Sequence, residues 1–135
     1  MEPATVTSPP PLPTVGVPRE APYMDIDHIR ARCSSGISVD AGWRPLLITL
    51  DAALTKADPE LRYIQISQKY GRLLVYTTST NEEARLLIHR AEELASRTCE
   101  MCSDLGASLC QRGSWLRTLC PRCAAEQHYM AVQRD

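Results

Sequence analysis

Residues 99–123 read CEMCSDLGASLCQRGSWLRTLCPRC and hold five of the six cysteines of a chain of 135 residues. Three chemistries gather cysteines this closely: a metal site, a set of disulfides, or a redox-active thiol pair. Spacing separates them. Cys99 and Cys102 form one Cys-x2-Cys pair and Cys120 and Cys123 a second, with 17 residues between. That falls within the pattern of four-thiolate zinc sites. Two cysteines two residues apart on a tight turn point at one ion, and two such turns complete a tetrahedron. The intervening residues must leave and return, which a short hairpin does. Gly113-Ser114 suits its two-residue turn, with Gly at the first central position. Arg112 then pairs with Trp115, Cys110 with Arg117 and Ala107 with Cys120, so the second cysteine pair returns to the first. The stretch is predicted to be a C-terminal zinc ribbon, with one Zn²⁺ held by Cys99, Cys102, Cys120 and Cys123. Cys110 sits mid-strand and reads as packing. His128, five residues past Cys123, is a weaker alternative ligand.

The other two chemistries fit less well. A redox Cys-x-x-C opens a helix after a strand in a βαβ unit, and neither pair here follows such a unit. Disulfide frameworks belong to oxidising compartments. Residues 1–11 have neither the basic start nor the apolar core of a secretory signal. No stretch approaches the ~18 apolar residues that span a bilayer. The expected location is therefore cytoplasmic, with reduced thiols. Large apolar residues between 99 and 123 are few, a thin core for an independent unit. A structural zinc offsets this with an apparent binding energy on the order of 10–16 kcal/mol. Four thiolates close the coordination shell and leave no position for water or substrate, so the ion is expected to be structural.

Upstream, seven of the ten prolines precede Tyr23. PPPLP at 9–13 is a polyproline-type segment with little to bury, read as a disordered extension over 1–22. It also suits a proline-recognising groove. A first helix is expected from Asp25, with Ile26, Ile29 and Cys33 at helical spacing and Ser34-Ser35-Gly36 as its stop. Cys33 reads as a small apolar residue on the inner face. His28 lies five positions earlier, off that line, which argues against a Cys–His catalytic pair. Residues 42–59 read as a second helix, with Pro45 in its first turn and Leu46, Leu47, Leu50, Ala53, Leu54 and Ala57 as one stripe. A hairpin follows around Tyr70-Gly71. Ile64 and Ile66 are expected on one face against Tyr63, Gln65 and Ser67, and Leu73, Val75 and Thr77 against Leu74, Tyr76 and Thr78. A third helix carries the strongest period, Ala84, Leu87, Ile88, Ala91, Leu94 and Ala95. Its start is either a Thr80–Glu83 capping box or an Asn81 cap. His89 falls at the edge of the stripe. The fold class is α+β: a small antiparallel hairpin sheet packed by two or three amphipathic helices over 23–97, then a four-cysteine zinc ribbon and tail over 98–135.

GW at 42–43, QISQKYGRLLVY at 65–76, CEMC at 99–102 and GSWLRTLCPRCA at 113–124 recur in this order in a known group. Across about 42–125 the chain resembles small, largely uncharacterised bacterial and phage proteins. Those carry a Gln-x-x-x-Lys-aromatic-Gly-x-Leu hairpin, a Cys-Glu-x-Cys pair and a Gly-x-Trp-Leu-x-Thr-Leu-Cys-x-x-Cys end. The resemblance implies an α+β body with a zinc ribbon and a mobile-element, toxin or defence setting; it brings no reaction. The group tends to have Gly after the second cysteine, where this chain has Ser103. It tends to have two glycines in the hairpin turn, where this chain has only Gly71.

Chemistry-bearing motifs outside the cysteines are missing. There is no Gly-rich phosphate loop, no His-Glu-x-x-His and no nucleophile elbow. His28, His89 and His128 lie in unrelated segments. CPRC at 120–123 lacks the upstream His-x-Glu of a deaminase zinc site. The chain is therefore expected not to be an enzyme. Its formal charge of −1 does not favour long-range attraction to nucleic acid or anionic membrane. The leading expectation is a protein-interaction module, such as an inhibitor, immunity protein or adaptor. It would meet an unidentified protein partner through Arg112, Trp115 and Arg117, residue types enriched at interface hot spots. The alternative is a nucleic-acid-binding regulator. Between Asp104 and Glu126 lie Arg112, Arg117 and Arg122 and no acid, and an Arg beside an aromatic can meet phosphate and base.

Overall fold

The computed structural model describes residues 25–132; the proline-rich extension predicted for 1–22 lies outside them. Two small three-stranded sheets are joined by helices, an α+β architecture with the four cysteines gathered near the C-terminal end.

Helix α1 (Asp27–Arg30) is a single turn, with the Asp27 N–H donating to Asp25 Oδ1 at 2.8 Å. The helix predicted to run on to Cys33 stops early. Backbone groups of residues 32–35 turn instead to the next strand: Tyr63 N–H donates to the Arg32 carbonyl, and Ser34 and Ser35 N–H donate to Tyr63 and Ile64 carbonyls. Cys33 bridges Tyr63 and is half-buried, its Sγ donating to the Gly36 carbonyl at 3.2 Å. Gly36, at φ +88°, then reverses the chain into β1 (Ile37–Ser38).

A 3₁₀ turn (Ala41–Trp43) leads into α2 (Arg44–Ala57), with Pro45 in its first turn. Trp43, Leu46, Leu47, Leu50 and Leu54 are buried, whereas Ala53 and Ala57 are only half-buried. Asp51 is buried on the same helix. Its Oδ1 accepts from the Tyr63 hydroxyl at 2.6 Å and from Arg32 at 2.9 Å, and its Oδ2 lies 3.5 Å from His28 Nε2. Burial, then the Asp51 carboxylate, push the Tyr63 phenol well above its usual pKa and keep it a donor. His28 thus faces a carboxylate, while the Cys33 sulfur is engaged with Gly36.

Strands β2 (Tyr63–Lys69) and β3 (Arg72–Thr77) form the hairpin. Tyr70 and Gly71 both have positive φ, 55° and 79°, the requirement of a tight two-residue reversal. The predicted face assignment of β2 needs correcting. A bulge between Tyr63 and Gln65 adds one residue, so Tyr63 and Ile66 share the core face and Ile64 is exposed. The sheet is also not purely antiparallel: β1 pairs in parallel with β2, Ile37 opposite Ile66 and Ser38 opposite Ser67. Helix α3 (Glu82–Ala95) starts on Asn81, whose side chain accepts the Ala84 N–H, so the cap is Asn81 and not the Thr80 box. Ala84, Leu87, Ala91 and Ala95 are buried against α2 and β3, with Ile88 and Leu94 flanking, and His89 is exposed.

The second sheet holds β4 (Ser108–Arg112), β5 (Trp115–Leu119) and β6 (Met130–Ala131) in the order β5-β4-β6. The β4–β5 register matches the prediction, Arg112 opposite Trp115 and Cys110 opposite Arg117, around a turn where only Gly113 has positive φ. The predicted tail is structured: α4 (Pro121–Glu126) follows β5, and β6 pairs Met130 with Gln111. No helix among the described residues is long and apolar enough to cross a membrane.

Candidate metal centre

Cys99 and Cys102 lie on the turn after α3; Cys120 follows β5 and caps α4, its sulfur accepting the Cys123 N–H at 3.4 Å. The Sγ atoms of all four lie within 4.8 Å of one another, and Cys102 and Cys120 are 3.7 Å apart. A tetrahedron of metal–sulfur bonds of about 2.3 Å sets its sulfurs about 3.8 Å apart. None of the six cysteines is in a disulfide. The four can hold one metal ion. Burial pushes the Cys102 and Cys123 thiols up. At Cys120 burial is outweighed by hydrogen bonds from the Cys123 amide and neighbouring thiols, which hold it below the usual thiol value. Thiols this close cannot all ionise unless a cation sits among them. Arg122 adds a positive charge beside the Cys102 sulfur.

Cys110 is buried next to this group but outside it, with its Sγ on the Ser108 and Leu119 carbonyls. His128 is exposed beyond α4 and does not join the sulfurs.

The turn carrying Cys99 and Cys102 is wedged between the body and β5. Gly42 N–H donates to the Glu100 carbonyl at 2.7 Å, and Trp43 Nε1 donates to the Thr98 carbonyl at 2.8 Å. Ser103, where Gly would be at ease, has φ 72°; its hydroxyl donates to the Gly42 carbonyl at 2.7 Å, which offsets part of the strain. From the other side, the Gly71 carbonyl accepts the Thr118 hydroxyl at 2.7 Å. Glu100 is 2 % exposed. Its carboxylate accepts the Thr118 N–H at 2.7 Å and Gln68 Nε2 at 2.9 Å and faces Arg117 Nε at 3.6 Å. Its own N–H donates to the Thr118 carbonyl at 2.9 Å. Burial raises the carboxyl's pKa, opposed by Thr118, Gln68 and Arg117. Glu100→Ala is expected to cost about 2 kcal/mol by orphaning the Thr118 N–H and Gln68, read as a lower denaturant midpoint with the slope unchanged.

The three residues predicted for partner binding do not stay together. Trp115 is 70 % exposed at the hairpin turn. Arg112 is beside it, its guanidinium 4.7 Å over the Tyr129 ring and donating to the Gln127 carbonyl at 2.7 Å. Arg117 instead turns inward to Asp40 and Glu100 and ties the ribbon to the body. Arg122 sits on α4 beside Cys102 and Arg117 turns inward, so the ribbon's arginines do not form one cationic row.

Sequence reasoning missed Glu100, Gly42, Gln68 and Arg117 as a joint. Gly42, Trp43, Gly71 and Glu100 all lie where ribbon meets body. The fold and site define an α+β chain with a C-terminal four-cysteine ribbon. Neither protein-family models, nor curated proteins, nor solved structures give a match to this chain.

Proposed function

We propose that this chain is a non-catalytic protein-interaction module of the inhibitor, immunity-protein or adaptor kind, stapled by one structural Zn²⁺ on Cys99, Cys102, Cys120 and Cys123. The observation that carries the reading is an exposed Trp115 on a hairpin turn anchored by the four-sulfur cluster at its base. Trp and Arg are the residue types enriched at interface hot spots, and here they stand side by side on a rigid turn. Zn²⁺ suits four thiolates in tetrahedral array, and such a closed shell leaves no position for substrate. The docking surface is Trp115 with Arg112; Arg117 supports it from behind.

Elemental analysis of the reduced protein should find one zinc per chain. Stoichiometric iron with visible absorption would replace zinc by an iron–sulfur site. Capture from native lysate with nuclease present, using wild type and Trp115→Ala side by side, tests the surface. The substitution should remove the co-purifying protein while zinc content and melting temperature stay unchanged. Equal recovery with both baits would take the tip out of the proposal.

A further inference from the structure

The body's hairpin presents a second surface, distinct from the ribbon tip. Register places Ile66, Leu73 and Val75 on the face covered by α2 and α3. The opposite face carries three cross-strand rows: Lys69 beside Arg72, Ser67 beside Leu74, and Gln65 beside Tyr76. Tyr76 is 52 % exposed and Tyr70, at the turn, 79 %. Lys69 and Arg72 are exposed and have no ion-pair partner among the described residues. Ser67, in the middle row, is only 4 % exposed, with its hydroxyl buried. Residues 61–80 contain Arg62, Lys69 and Arg72 and no carboxylate, in a chain whose acids outnumber its Lys and Arg by 16 to 15. The nearby acids, Glu92 and Glu93, lie on α3 and share with Arg72 and Leu74 the cleft beside β3.

We propose that this face binds single-stranded nucleic acid. Aromatic rings offer every base a stacking platform, and unpaired cations meet the phosphates between them. Here a base stacks on Tyr76, with the Gln65 amide beside it to reach its edge. Lys69 and Arg72 hold the backbone about 13 Å along the strand from Tyr76. A duplex is disfavoured, because its bases show no free face to the ring. RNA and DNA strands share this chemistry.

The test is fluorescence anisotropy of the full chain with labelled oligouridylate and oligothymidylate, each about 12 nucleotides, a length within single-strand site sizes. Binding of either strand is expected, with log K falling against log salt at a slope of about −1.4 to −2.1, two to three phosphates at ~0.7 each. Binding of one strand alone would assign the sugar. Tyr76→Ala should weaken binding about tenfold, the loss of one stacked base. The Lys69→Glu, Arg72→Glu double variant should abolish it, and Trp115→Ala should leave it unchanged. All three variants should melt as wild type. The proposal fails if neither strand binds, as it would if this face served a protein partner. It also fails if Tyr76→Ala binds as wild type, or if Trp115→Ala alone removes binding.

Discussion

Stripping the metal from the sulfur cluster is expected to unfold the ribbon and to lower the melting temperature of the whole chain. The ribbon's own buried apolar set is small: Ala107, Leu119, Ala124 and Tyr129 around the cysteines. A structural zinc contributes on the order of 10–16 kcal/mol, far more than those side chains. The loss should spread, because the turn bearing Cys99 also holds Trp43 through the Thr98 carbonyl. Trp43 is fully buried and the chain has two tryptophans, so Trp115→Phe isolates its emission. A zinc chelator should shift that emission to the red and lower the thermal midpoint, and added zinc should restore both. Unchanged emission and melting after complete metal removal would show that the sulfurs do not staple the fold.

Gly42→Ala is expected to cost at least about 3 kcal/mol, the upper range for forcing atoms into a packed site. An added Cβ would overlap the Glu100 carbonyl carbon and oxygen and the Cys99 carbonyl oxygen. These are backbone atoms of the metal-bearing turn and cannot swing away as a side chain would. The hydrogen bond from Gly42 N–H to Glu100 would be displaced with them. The thermal midpoint should fall by about 10 °C for a chain of this size. A midpoint within about 2 °C of wild type would mean that body and ribbon are not locked at this point.

Elements with their own period were legible in the sequence. The α3 stripe, the Pro45 start of α2, the β4–β5 register and the paired cysteine spacing all follow from local chemistry. What escaped depends on contacts between segments. β1 has two residues, too few to show alternation. The bulge at Ile64 inverts the apparent faces of β2, because one inserted residue breaks a period of two. Asp51 interrupts an apolar stripe only because Tyr63 and Arg32 arrive to satisfy it. Arg117 neighbours Trp115 in sequence, yet Asp40, 77 residues away, decides where its side chain goes.

The double grip of Glu100 on Thr118, backbone to carbonyl and carboxylate to N–H, falls on the outer edge of β5. Gln68 covers the next position by donating to the Leu116 carbonyl. An uncovered strand edge is a template on which another chain can add a strand. Glu100 and Gln68 therefore guard the fold against self-assembly as well as joining its halves. Because Glu100 sits between two of the four cysteines, loss of the metal would release this guard and bare the edge in the same event. The demetallated protein is accordingly an aggregation hazard, with β5 as the strand that seeds it.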